Sequence, residues 1–250
     1  MNNKRIIVSL LIDNGDLVKG TKFKNHKYIG DPVNTVRIFN DKEVDELIIL
    51  DKSASINGIN YELINKITDE AFVPLSYGGG ITTIEEIQKI LSIGCEKIIL
   101  NSVIFRNMDL IKDAGNLFGS QSVVLKIDVK KINNQYFIFV NNGTENINIL
   151  LEDFLVKLNK YDFGELIISS IDLEGTYLGY DYKLYDFLSK KIYFPLIGDG
   201  GAGSLDDIQK LFEKTNLRAC SVGSLFIFFG KNKAVLPNYP SSEIKDKISL

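Results

Sequence analysis

The chain has 250 residues, 45% of them hydrophobic, and a formal net charge of −3. That is enough apolar material for one barrel-sized core spanning residues 1–250. The scattered lysines leave no basic face for nucleic acid. No apolar run reaches the ~18 residues of a membrane span and Met1 to Arg5 has no secretion-signal pattern, so a cytoplasmic location without membrane contact is expected.

In chain order, short β-branched runs alternate with helical patterns. Strands are predicted near 5–11, 46–51, 73–77, 97–101, 123–128, 165–170, 193–198 and 218–223, with one helix after each. Runs such as Leu47-Ile48-Ile49-Leu50 are apolar throughout, as in parallel strands covered on both faces. Eight such units in about 250 residues predict a (β/α)8 barrel. After the first strand, residues 14–30 read as a long polar loop. His26, the only histidine, sits in Lys24-Asn25-His26-Lys27 and is expected at the solvated surface. A lone histidine excludes a His-rich metal site, and its place in a polar loop argues against a Ser-His-Asp triad.

Helix starts are marked by Asp31-Pro32, by Thr83 with Glu86, and by Ser204 with Asp207, each placing a side-chain acceptor over free backbone N–H groups. Lys130 to Phe139 predicts a hairpin turning at Asn133-Asn134. The tail from Lys231 to Leu250, with Pro237 and Pro240, predicts a poor eighth helix. Cys95 and Cys220 are too few for a disulfide framework or a zinc cluster and are expected as buried hydrophobes.

The chain also repeats itself. Pro74 to Lys89, a strand running into Gly78-Gly79-Gly80 and a capped helix, returns as Pro195 to Lys210 with Gly198-Asp199-Gly200-Gly201-Ala202-Gly203. Asp45 to Ile49 is matched by Gly164 to Ile168, and Leu100 to Val103 by Val222 to Leu225. Repeats at about half the chain length indicate two half-barrels of one plan.

Glycines at strand ends let phosphate oxygens approach the backbone, and the following helix start supplies N–H donors. Two copies in opposite halves predict a ligand with a phosphate at each end. Between them, Asp128 at the end of the fifth strand is the candidate acid or base. At its counterpart, the end of the first strand, stands Leu11. Asp51, Asp172, Glu174 and Asp199 are further strand-end acids with either chemical or loop-holding roles. Arg5, Glu46, Lys97 and Glu165 begin four strands and are expected to meet at the opposite face, as an ion-pair plug or a gate.

Lys4-Arg5-Ile6-Ile7, Val18-Lys19-Gly20-Thr21, Gly30-Asp31-Pro32-Val33, Asp45-Glu46-Leu47, Phe118-Gly119-Ser120-Gln121, Asp172-Leu173-Glu174-Gly175-Thr176 and Gly200-Gly201-Ala202-Gly203 resemble the HisF family, the cyclase subunit of imidazole glycerol phosphate synthase. The resemblance implies a duplicated half-barrel, no cofactor, no metal and a HisH-like glutaminase partner that supplies ammonia. It implies phosphate binding at Gly79, Gly80, Asn101 and Ser102 on one side and at Gly175, Gly201, Gly203 and Ser224 on the other, with Lys19 on a mobile loop. It further implies an ammonia gate of Arg5, Glu46, Lys97 and Glu165, and a catalytic Asp128 whose partner acid is replaced by Leu11. Asp13, two residues on, is a substitute only if it reaches the strand end.

Leu10 to Gly15 together with Lys22 to Pro32 resembles the WbuZ-like branch of HisF. That implies work with a HisH-like glutaminase and a sugar amidotransferase, forming an acetamidino sugar for surface polysaccharide. The alternatives are a histidine-pathway cyclase and a catalytically silent ammonia conduit.

Overall fold

The computed structural model describes residues 4–249. Eight parallel strands close on themselves: β1 (Arg5–Asp13), β2 (Leu47–Asp51), β3 (Leu75–Gly78), β4 (Lys97–Leu100), β5 (Val123–Ile132), β6 (Glu165–Ser170), β7 (Leu196–Asp199) and β8 (Ala219–Val222). Each pairs with the next, and β8 pairs with β1 through Arg5↔Ala219 and Val8↔Val222. The half-barrel repeat survives in detail, since Leu47 N–H donates to the Pro74 carbonyl at 2.8 Å and Leu166 N–H to the Pro195 carbonyl at 2.9 Å. β3 and β7 therefore start just after these prolines, slightly later than the apolar runs suggest.

The outer ring comprises α1 (Pro32–Asp41), α2 (Tyr61–Thr68), α3 (Ile84–Ile93), α4 (Asp109–Phe118), α5 (Leu151–Leu158), α6 (Tyr182–Lys191), α7 (Leu205–Lys214) and α8 (Ser242–Ser249). The predicted caps form. Asp31 accepts from Asn34 N–H, Thr83 and Glu86 make a full capping box, and Ser204 accepts from Asp207 N–H. The eighth helix forms after all, because Pro237 and Pro240 precede it rather than interrupt it. Tyr239 anchors the approach, its hydroxyl donating to the Ile6 carbonyl at 2.8 Å, and Lys245 pairs with Asp45 at 2.7 Å. No helix among the described residues is long and apolar enough to cross a membrane.

Strand pleating sorts side chains with period two. Outward residues pack on the helices, and inward residues form layers. Arg5, Ile7, Ser9 and Leu11 succeed one another up the inside of β1. Ile7, Ile48, Ile99, Val124, Ile167, Ile197 and Ala219 make an apolar middle layer. The charged floor lies below it and the polar mouth above. Cys95 and Cys220 are buried, and burial pushes both thiols up to about 12, so they behave as hydrophobes.

Residues 14–30 are not a loop. β1 continues beyond the barrel, turns at Asn14-Gly15, and pairs with Asp16–Thr21, which pairs in turn with Lys24–Gly30. Asn14 and Gly15 have φ of 52° and 88°, the left-handed pair that a tight hairpin turn requires. β5 does the same in the other half. It overruns into the predicted turn at Asn133-Asn134 and carries Gln135–Val140 and then Glu145–Leu150. Each half-barrel thus begins with an overlong strand bearing a hairpin across the mouth.

Candidate functional site

The C-terminal ends of the strands enclose a cavity of about 640 Å³. Of the residues expected there, Lys19, Gly79, Gly80, Asn101, Ser102, Asp128, Gly175, Gly201 and Ser224 all line it. Gly203 does not. Its Cα faces the Tyr177 backbone, and its N–H donates to Asp207 at 3.0 Å, which accounts for the glycine by packing and capping. Gly79 in the first turn and Gly201 in the second have φ of 135° and 110°. A Cβ on either would overlap a carbonyl oxygen, of Asp51 and Gly179 respectively, so only glycine fits these turns.

Around the first glycine turn stand Asn101 and Ser102. Asn101 donates to the Lys126 carbonyl at 2.9 Å and to Asp128 Oδ2 at 3.0 Å, while Ser102 donates to Asn101 Oδ1 at 3.0 Å. Thr82 and Arg106 join this side of the cavity. Sequence reading passed over both; the signal for Arg106 was a cation shortly after the Asn101-Ser102 pair. Around the second turn, Gly223 and Ser224 face Lys19. The Lys19 ammonium donates to the Ser9 carbonyl at 2.8 Å and packs so closely on Gly223 that a side chain there would collide with it.

Leu11 lines the same cavity. Asp13 does not replace it, for its carboxylate is paired with Lys52 at 2.7 Å outside the lining. The strand-end acids divide by use. Asp51 accepts three bonds from Ser53 and Ala54, and Asp172 accepts the Lys131 N–H at 2.9 Å, so both hold loops. Asp51 also lines the cavity, as do Asp199 and Glu174, Asp199 accepting from the buried Ser169 hydroxyl. Burial raises the pKa of Glu174 despite the Phe23 N–H that it accepts at 3.0 Å and the nearby charges of Lys19 and Lys126. Burial lowers the pKa of Lys19, against the pull of Glu174 and Asp199.

Lys126 is the residue that sequence reading missed. It is 5% exposed, lies two residues before Asp128 on β5, and therefore points to the same inner side. Its ammonium pairs with Asp128 Oδ1 and lies 5.3 Å from the centre of the Phe23 ring. The clue was a charge at an inward position of the apolar run Val123-Val124-Leu125-Lys126-Ile127.

His26 corrects another expectation. It is half-buried on the hairpin and lines the cavity, and burial, aided by Lys52, lowers its pKa. Lys22 and Phe23 at the same hairpin's tip have φ of 54° and 59°, a conformation costly for bulky residues. Glu174 holds them: its carbonyl accepts Lys22 N–H at 2.9 Å and its carboxylate accepts Phe23 N–H.

At the other end of the barrel, the four predicted ions meet. Arg5 pairs with Glu46 at 2.7 Å and with Glu165, and Lys97 pairs with Glu46 at 3.0 Å and Glu165 at 2.8 Å. Ser76 donates to Glu46 as well, at 3.1 Å. Burial would lower the Arg5 pKa, but the bonds and charges of Glu165 and Glu46 outweigh it and raise it. Burial would likewise raise Glu165, but Arg5 and Lys97 bring it below the usual carboxylate value.

A closed parallel ring with duplicated glycine turns around a polar mouth defines a (β/α)8 barrel made of two half-barrels. Residues 5–233 match the family model described as histidine biosynthesis protein, and the chain belongs to that family as a HisF-like member. It is 44% identical over 99% of both chains to the Leptospira interrogans protein named "Putative imidazole glycerol phosphate synthase subunit HisF". It is also 44% identical to a Pseudomonas aeruginosa protein carrying the same name with the suffix hisF2, covering 96% of this chain and 97% of that one. Identity to the imidazole glycerol phosphate synthase subunit HisF of Natranaerobius thermophilus is 35%, over 96% of each.

Proposed function

We propose that this chain is the ammonia-accepting subunit of a glutamine amidotransferase that works with a HisH-like glutaminase and a sugar amidotransferase to form an acetamidino sugar. The carrying observation is Leu11 in a mouth that otherwise keeps two glycine turns, Asp128 and an intact ionic floor. A leucine neither gives nor takes a proton, and general acid–base groups typically contribute about 10²–10⁴ in rate. The mouth therefore lacks half of what a two-acid ring closure needs.

In this reading Gly79, Gly80, Asn101 and Ser102 hold one phosphate. Gly175, Gly201, Gly203 and Ser224 with Lys19 hold the other, Gly203 acting through the turn it shapes. Asp128 faces the reacting centre, and Arg5, Glu46, Lys97 and Glu165 form the gate for ammonia from the docked glutaminase. Reconstituting the three proteins with glutamine and an N-acetylated nucleotide sugar, and following amide-to-amidine conversion by mass spectrometry, tests it. Conversion that proceeds equally without this chain sinks it. Complementation of a strain lacking the histidine-pathway cyclase would instead support the cyclase reading.

A conduit without chemistry of its own is favoured by one observation, that both Asp128 oxygens are already bonded, to Lys126 and Asn101. Asp128→Asn in the reconstituted complex separates the two: unchanged amidation supports the conduit, and a loss supports participation.

A further inference from the structure

Asp128 stands between the two glycine turns, 4% exposed, and is the one acid of the mouth paired with a buried lysine from its own strand. Lys126 takes Oδ1 and Asn101 takes Oδ2 at 3.0 Å. A carboxylate held this way is engaged on both oxygens, and a proton delivered to it would weaken a buried ion pair at a cost that burial enlarges. Nothing in the fold demands the lysine, since the inward layer below it is filled by Ile7, Ile48, Ile99 and other apolar side chains. A lysine there is shielded from water by the Phe23 ring, and its pairing with Asp128 is what offsets the cost of burying it.

We propose that Lys126 is a specificity-determining residue that withholds Asp128 from proton transfer, so that ring closure of the histidine-pathway type is blocked twice in this mouth, once by Leu11 and once by Lys126. The proposal deepens the reading above and rests on it for the reaction being excluded. Its consequence is non-additive. Restoring a carboxyl at position 11 supplies a second acid but leaves Asp128 engaged, and removing the lysine frees Asp128 but leaves leucine opposite.

The test is a mutant cycle in the full-length protein with the bisphosphorylated ribonucleotide substrate of imidazole glycerol phosphate synthase and ammonium chloride. Ring closure is followed by product absorbance in wild type, Leu11→Asp, Lys126→Met and the double variant. Each single variant is expected within about 10-fold of wild type, and the double variant at least about 100-fold above Leu11→Asp, in the range one general acid–base group supplies. Lys126→Gln, which keeps a neutral donor beside Asp128, serves if the methionine variant does not fold. Thermal unfolding and calorimetric titration with the ribonucleotide report whether each protein is intact. A purely structural lysine would lower the unfolding midpoint and raise turnover in no background.

Leu11→Asp alone turning over as fast as the double variant overturns the proposal. So does a double variant that folds, binds the ribonucleotide and stays inactive. Failure of the functional reading is seen elsewhere: the three-protein reaction would give no amidine while the mutant cycle still behaves as expected.

Discussion

Floor and mouth both bury ions, but they do so on opposite terms. At the floor, Arg5, Glu46, Lys97 and Glu165 form a closed ring in which every member has two ionic partners. In the mouth, Lys19, Lys126, Asp128, Glu174 and Asp199 border open space, and their bonds go to carbonyls, hydroxyls and one another in pairs. At the floor, Glu165 and Arg5 are drawn toward their charged states by their partners, whereas in the mouth Lys19 and Glu174 are pushed toward neutrality by burial. A self-satisfied ring suits a seal. Under-satisfied charges around a cavity suit a ligand that completes them.

The mouth breaks most sharply at its glycine turns. Gly79→Ala or Gly201→Ala forces a Cβ into a carbonyl oxygen at positive φ, and each should cost about 2–4 kcal/mol in urea unfolding while weakening bisphosphate binding. Next comes the floor. Lys97→Met leaves Glu46 and Glu165 with one cation between them, at about 2–3 kcal/mol, less than for a fully buried pair because Lys97 keeps some solvent contact. In the reconstituted complex it should change glutamine-driven turnover and spare turnover with added ammonium salt; equal losses would argue against a gate.

Acid titration sharpens the contrast, because two glutamates should respond with opposite sign. Glu165 has a lowered folded pKa, so its contribution is present above the unfolded value of 4.5 and lost as pH falls through the folded one. Glu174 has a raised pKa, so its contribution is full below 4.5 and lost as pH rises through the folded value. Melting temperatures of Glu165→Gln and Glu174→Gln, each subtracted from wild type from about pH 2 to about pH 8, should therefore slope oppositely, Glu165 below about pH 4.5 and Glu174 above it. The smallest effect is Gly15→Ala, about 1 kcal/mol, from one left-handed turn residue with open space around it.

The barrel was legible because strands covered on both faces read as unbroken apolar runs and because the glycine turns repeat. The floor was legible from four charges at strand starts. The hairpin over residues 14–30 was hidden by its polarity: both faces of Lys24–Gly30 are largely exposed, so no alternation marks it. Asn14-Gly15 was the overlooked sign. The final helix was misjudged from prolines that lie before it. Lys126 escaped notice because a lysine in a strand is ordinarily read as an outward residue, and only closing the ring shows that it points inward.

The two hairpins meet. The first brings Phe23 against Gly143 of the second, close enough that a Cβ at 143 would lie 2.9 Å from the ring, and Asn142 donates to the Lys52 carbonyl at 3.3 Å. The roof of the mouth is thus common ground of both halves: a change in either hairpin at this seam is felt by the other, so the two rims are coupled through their covers as well as through the ring beneath.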